Sequence, residues 1–227
     1  MSVAARMIEA VKAGDADALR GILQGDVDAS GARDDGGDSP LLTALYHGRR
    51  DLAELMLAHG RRPDAFEASA LGDVDRLRAL LDAEPGLVTR FSNDGWTPLH
   101  LAGFFGHVDA VRLLLERGAD ANVFSINTMR NTPLHAGLAG PLPAEGVRLL
   151  VEAGADVGAR QHGGYVPLHS AANRGIVELI DLLLDRGADP DAAAEDGRRP
   201  LDFAKEERVK EHLRSRGAAA AGATSTD

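Results

Sequence analysis

The sequence predicts an all-α repeat solenoid of stacked helix–turn–helix units joined by polar loops. Two observations predict it. The segment Thr97-Pro98-Leu99-His100 returns as Thr132-Pro133-Leu134-His135, then as Val166-Pro167-Leu168-His169, and in weakened form as Arg199-Pro200-Leu201-Asp202, at steps of 35, 34 and 33 residues. A second motif, LLLERGAD ending at Asp120, returns as LLVEAGAD ending at Asp156 and LLLDRGAD ending at Asp189. Two separate motifs that keep phase over three units mark a structural repeat.

Each unit has a physical reading in chain order. Thr at the opening position is an N-cap, and the Pro after it is preorganised for helix entry. A short first helix, as in PLHLAGFF, ends at a glycine such as Gly72, Gly106 or Gly175. The second helix repeats apolar residues at i, i+3 and i+4: Val111, Leu114, Leu115; Val147, Leu150, Val151; Ile180, Leu183, Leu184. Gly118, Gly154 and Gly187 then suit a left-handed C-cap. One such pair cannot bury its own apolar faces, so neighbours must stack.

The N-terminal half follows the same template less closely. Units open near Ala5, at Ser39-Pro40-Leu41 and at Pro63. The step from Ser39 to Pro63 is only 24 residues, so one connecting finger is expected to be missing between Gly60 and Pro63. Seven units result, with residues 1–216 as the solenoid, atypical first and last units as caps, and 217–227 as a low-complexity, disordered tail. Two departures carry expectations. Val166 in place of Thr should weaken its N-cap. Gly140-Pro141-Leu142-Pro143 should give a connection one residue longer and rigid.

These residues resemble the ankyrin-repeat family: the TPLH opening, the helix–turn–helix and the closing GAD. The resemblance covers roughly residues 3–216; it is specific in the three middle-to-late units and looser before Pro63. It implies β-hairpin or loop fingers, a concave face lined by fingers and inner helices, and a His in each TPLH that bonds the neighbouring loop backbone. It also implies a module that binds another protein.

Composition narrows the function. The net charge of −10 repels nucleic-acid phosphates, and 4% aromatics is too few for a base-stacking platform. Zero cysteines excludes thiolate metal sites, disulfides and thiol nucleophiles. The opening residues lack a signal-type apolar run, and no stretch nears ~20 apolar residues, so no membrane span and a cytoplasmic location are expected.

No residues combine into a catalytic or metal-binding set, and no cofactor is expected. His100, His135 and His169 repeat at the unit period, ~10 Å apart, too far to share an ion bound at ~2.1 Å. Asp34-Asp35-Gly36-Gly37-Asp38 lacks the alternating calcium-loop pattern and reads as a solvated fingertip. Residues 1–40 nevertheless carry a net charge of −4, suited to a basic partner patch.

The informative residues break the template at exposed positions. The loop after Asp120 is two residues longer than its equivalents and carries Phe124, Ile126 and Met129 where polar residues belong. Trp96 and Tyr165 precede helix entry. Phe104 and Phe105 lie late in their inner helix, with Tyr46 and Arg174 at equivalent places in the second and sixth units. The expected partner-binding set is Tyr46, Trp96, Phe104, Phe105, Phe124, Ile126, Met129, Arg130, Tyr165 and Arg174, aromatic anchors with Met129, Arg130 and Arg174 at the rim. For Phe124 and Ile126, packing in the inter-unit seam is an equal expectation. The competing class is a small-ligand protein or enzyme with a pocket between fingers; self-association of an otherwise monomeric chain is a third.

Overall fold

The computed structural model describes residues 1–25 and 32–219, in fourteen α-helices and two 3-10 turns, with no strand among the described residues. The helices form seven antiparallel pairs: α1 (Val3–Ala13) with α2 (Ala16–Gly25), α3 (Pro40–Tyr46) with α4 (Arg50–Ala58), α5 (Ala65–Leu71) with α6 (Val74–Ala83), and α7 (Pro98–Phe105) with α8 (Val108–Glu116). Three more follow: α9 (Pro133–Ala139) with α10 (Ala144–Glu152), α11 (Pro167–Arg174) with α12 (Val177–Asp185), and α13 (Pro200–Phe203) with α14 (Glu207–Ser215). Odd-numbered helices pack on odd-numbered neighbours throughout; even-numbered ones do so between α2 and α4 and from α6 to α14, giving two rows. Of the stretch read as a disordered tail, Ala218 is buried and the Ala219 amide donates to Asp191 at 2.9 Å. Residues 220–227 lie outside the described residues.

Local chemistry sets the helix ends. In the TPLH units the His is the pivot. The Thr97 hydroxyl donates to His100 Nδ1 at 2.8 Å, and His100 Nε2 donates to the Asn131 carbonyl of the next finger at 3.0 Å. His135 and His169 reach the Tyr165 and Arg198 carbonyls in the same way, both at 3.2 Å. A carbonyl can only accept, so Nε2 carries the proton and Nδ1 is the acceptor. Val166 has no hydroxyl; its backbone N–H alone meets His169 Nδ1, at 3.0 Å.

The fingers are narrower than β-hairpins. Each short one is a turn held by two backbone bonds, as in Ser92 N–H to Trp96 O at 2.8 Å with Gly95 N–H to Ser92 O at 2.9 Å, or Gln161 N–H to Tyr165 O at 3.0 Å with Gly164 N–H to Gln161 O at 2.9 Å. The long finger closes from Ser125 to Asn131 at 2.8 Å. Successive fingers are also tied to one another. The Ile126 amide donates to Gly95 O at 3.0 Å, His162 to Met129 O at 2.9 Å, and Glu195 to Gly163 O at 2.9 Å.

No finger stands between α4 and α5, whose connection is only His59–Asp64. A buried polar group fills part of the junction. The Arg61 guanidinium, 7% exposed, meets the Glu67 carboxylate, which is wholly buried, and Ser39 Oγ donates to the same carboxylate at 2.5 Å. Glu67 also closes a capping box with Asp64, taking the role that His holds elsewhere. The apolar core divides here. One cluster runs from Ala65 to Ala218; another is confined to α1–α4, around Met7, Leu19, Leu52 and Met56. Leu42, Ala70 and Leu101 form a small bridge between them.

The Gly140–Pro143 connection does run longer, and its packing explains its residues. A Cβ on Gly140 would stand 1.9 Å from the Phe104 carbonyl oxygen, so only glycine allows this approach. Leu142 is fully buried and fills the space left by Gly137 and Gly146.

Candidate partner-binding surface

Four of the expected anchors come together across three elements. Tyr46, at the end of α3, lies 5.3 Å from the Phe105 ring, 6.0 Å from Phe104 and 6.4 Å from Trp96. Trp96 meets Phe104 edge-on at 5.0 Å and stacks on His100 at 5.9 Å. Tyr46 belongs to the second unit and the other three to the fourth. They meet because the intervening unit has no finger and presents Ala70 beneath Phe105. The Tyr46 hydroxyl donates to Asp94 on the fingertip at 2.5 Å. Desolvation of the hydroxyl beside these rings first, then that carboxylate, pushes the Tyr46 pKa up, so the hydroxyl stays protonated and bonded.

Exposure separates these residues from the rest of the set. Trp96, Phe104, Phe105 and Tyr165 are half-buried, their rings partly occupied by one another. Tyr46, Phe124, Ile126 and Met129 are exposed, Ile126 at 68%. Phe124 and Ile126 are thus not enclosed in the seam, although Ile126 touches the preceding finger over Gly95, where a Cβ would stand 3.1 Å from its Cγ1. Arg130 is exposed, holds a positive φ of 44° and places its guanidinium 6.0 Å from the Phe124 ring.

Arg174 departs from the expected rim role. Its guanidinium donates to the Leu142 carbonyl at 3.0 Å and so braces the Gly140–Pro143 connection. A longer connection leaves an orphan carbonyl, and the neighbouring unit satisfies it.

A second aromatic group surrounds Tyr165. Phe203 lies 5.7 Å from its ring and His169 5.4 Å. The Tyr165 hydroxyl donates to Asp196 at 2.7 Å and accepts from Arg198, also at 2.7 Å. That hydroxyl, with Arg198, holds Asp196 down to about 2. Phe203 and the two fingertip aspartates were missed as site residues. The available signal was shared: Asp94-Gly95 and Asp196-Gly197 occupy the same turn positions, and each aspartate receives a tyrosine.

The histidines are structural rather than ligating. Burial lowers His100 and His135 to about 4, outweighing the carbonyl each one bonds, and burial also lowers His169. His107 donates to Ala70 O at 2.9 Å, tying α8 back to α5. Among the described residues no three His, Asp or Glu side chains gather as a metal site. None of the described helices is long and apolar enough to cross a membrane.

Two helical rows with mutually bonded fingers define a repeat-solenoid scaffold whose half-exposed rings sit on the finger and inner-helix side. A family model described as ankyrin repeats (3 copies) matches residues 65–161, and one described as ankyrin repeat matches 163–195. The chain belongs to the ankyrin-repeat family. Similar proteins include the B-cell lymphoma 3 protein homolog of Mus musculus, 34% identical over 196 residues, covering 81% of this chain and 43% of that protein. Tyrosine-protein kinase Shark of Drosophila melanogaster is 39% identical over 116 residues, 51% of this chain and 12% of that one. Neurogenic locus notch homolog protein 1 of Danio rerio is 36% identical over 110 residues, 48% of this chain and 4% of that one. The chain thus spans less than half the length of each of these relatives.

Proposed function

We propose that this chain is a non-catalytic module that holds a partner protein, in the cytoplasm, against the concave face formed by its fingers and inner helices. The observation that supports this most is the convergence of Tyr46, Trp96, Phe104 and Phe105 into one half-open aromatic cluster, extended by exposed Ile126, Met129 and Phe124. Scattered exposed apolar residues are ordinary; a contiguous group rimmed by Asp94 and Arg130 is the composition of a binding centre. The helices are already ordered by stacking, so docking costs little ordering entropy.

The test uses the residues least committed to packing. Ile126→Asp combined with Met129→Asp should release a protein partner retained by the unaltered chain in pull-down, while the thermal unfolding midpoint stays within a few degrees. Equal loss of binding and folding would place these residues in the core instead. Trp96→Ala is the poorer probe, because Trp96 stacks on the buried His100.

A further inference from the structure

The aromatic group at Tyr165 stands apart from the Tyr46 cluster and has a shape of its own. The Tyr165, His169 and Phe203 rings lie 5.3 to 5.7 Å from one another and meet at 83 to 89°, like the faces at the corner of a box. The Tyr165 ring is fixed from two sides. It passes over Gly163, where a Cβ would stand 2.8 Å from its Cε2. Its hydroxyl is held by Asp196 and Arg198 of the next finger. A wall fixed in this way needs little ordering when a guest arrives.

A cleft of about 270 Å³ opens against this corner, between the Gln161–Tyr165 finger and the inner helices α11 and α13. Besides the rings it is lined by Gln161, Ser170 and Asn173. Those three side chains make no hydrogen bond among the described residues, and each can both donate and accept. His169 presents only its ring, since the Val166 amide occupies Nδ1 and the Arg198 carbonyl occupies Nε2. No charged side chain among the described residues lines the cleft. The nearby cations are already engaged. Arg198 pairs with Asp196 at 2.7 Å and lies over the Phe203 ring, 4.6 Å from its centroid. Arg160 donates to the Gly164 and Ala193 carbonyls, both at 2.8 Å.

These features select the guest. A carboxylate or ammonium group would lose water beside the rings with no counter-ion to replace it. A purely apolar side chain would cover Gln161, Ser170 and Asn173 and leave them without partners. A primary carboxamide is uncharged, can lie against an aromatic face, and offers an acceptor oxygen and two N–H donors to the three polar side chains. We propose that this cleft is a selectivity pocket for a primary carboxamide, the glutamine or asparagine side chain of an extended partner segment. The pocket presupposes the partner-binding reading above and adds which side chain the α11–α13 end of the face selects. The guest's plane lies against a ring, while its oxygen and NH2 group meet the Ser170 hydroxyl and the Gln161 and Asn173 amides.

The test uses capped pentapeptides Ala-Ala-X-Ala-Ala, with X as Gln, Asn, Glu or Met, titrated into the isotopically labelled full chain and followed by NMR. Met is close to Gln in shape but lacks the amide, and Glu adds a charge. The Gln or the Asn peptide should saturably shift the signals of Gln161, Ser170, Asn173 and the Tyr165 ring, and bind at least about tenfold more tightly than the Glu and Met peptides. Ser170→Ala combined with Asn173→Ala should bring the preferred peptide down to the level of the Met peptide. Alanine favours a helix, so the thermal midpoint of that variant should stay within a few degrees. Equal binding of all four peptides, shifts confined to other residues, no binding, or undiminished binding in the double variant would each overturn the proposal. The two readings fail separately. If no peptide enters the corner but the chain still retains a partner that Ile126→Asp with Met129→Asp releases, the pocket falls and the binding module stands. If the carboxamide peptide binds as expected and no partner is retained, the carboxamide selectivity stands and the module falls.

Discussion

Helices α1–α4 and helices α5–α14 follow one template but are held together differently. From α5 onward, each junction joins apolar faces in one continuous core, and from the Ser92–Trp96 finger onward finger is tied to finger through backbone bonds. Between α4 and α5 the apolar contact is thinner: Leu71 packs on the α1–α4 core, and Leu42, Ala70 and Leu101 form a small cluster bordered by Leu45, Phe66, Trp96 and Phe105. The junction instead relies on a buried Arg61–Glu67–Ser39 group, the Tyr46 rings and a few surface side chains. In a solenoid, stability is a sum of units and nearest-neighbour interfaces. A junction built from ions and rings should therefore be where cooperativity first fails.

The largest test of that difference is Glu67→Ala, which leaves the buried Arg61 without its carboxylate. A loss of about 3–5 kcal/mol is expected, with denaturant unfolding splitting into two transitions as α1–α4 melt first. A single, equally cooperative transition would show that the junction is as tight as the others.

Acid should single out the opposite block. His100 and His135 have folded pKa values near 4, below the ordinary 6.5, because burial disfavours the charged ring. A lowered folded value means the stability is fully present above about 6.5 and is lost as pH falls towards 4. At pH 5 each should cost about 1–2 kcal/mol. The second and third units carry Leu42 and Glu67 at this place, so fluorescence from Trp96 should report acid unfolding that α1–α4 do not share. A protection pattern uniform along the chain at pH 5 would remove the distinction.

The bridge between the blocks is testable by truncation. Leu42→Ala should cost about 2–3 kcal/mol and lower the first transition more than the second. Smallest is Val166→Thr, which returns a hydroxyl to the N-cap of α11. A gain of about 0.5–1 kcal/mol, seen as a slightly higher second midpoint, is expected; no gain would mean that the backbone N–H to His169 already does the whole capping task.

Sequence reading reached the fold because TPLH and GAD are local motifs with fixed physical jobs, capping and closing helices. It also located the missing finger, since a 24-residue step leaves no room for one. The surface was less legible. Tyr46 and Phe105 are 59 positions apart and meet only because Ala70 is small and the finger before α5 is absent, a relation that no single unit displays. Arg174 looked like a rim residue because its place in the template is variable; its partner is a carbonyl freed by an irregularity one unit earlier. The buried Arg61–Glu67 pair was not foreseen, because charge alone does not reveal that two side chains will be enclosed together.

Behind the aromatic face, Gly140 rests against the backbone of Phe104 with no room for a side chain. Anyone wishing to retarget this scaffold could exchange Ile126 and Met129 freely, since each borders solvent. Gly140 offers no such latitude. An alanine there would shift the carbonyl it touches, tilt the end of α7 and re-aim both phenylalanines, so a mutation invisible from the front would alter what the front can grip.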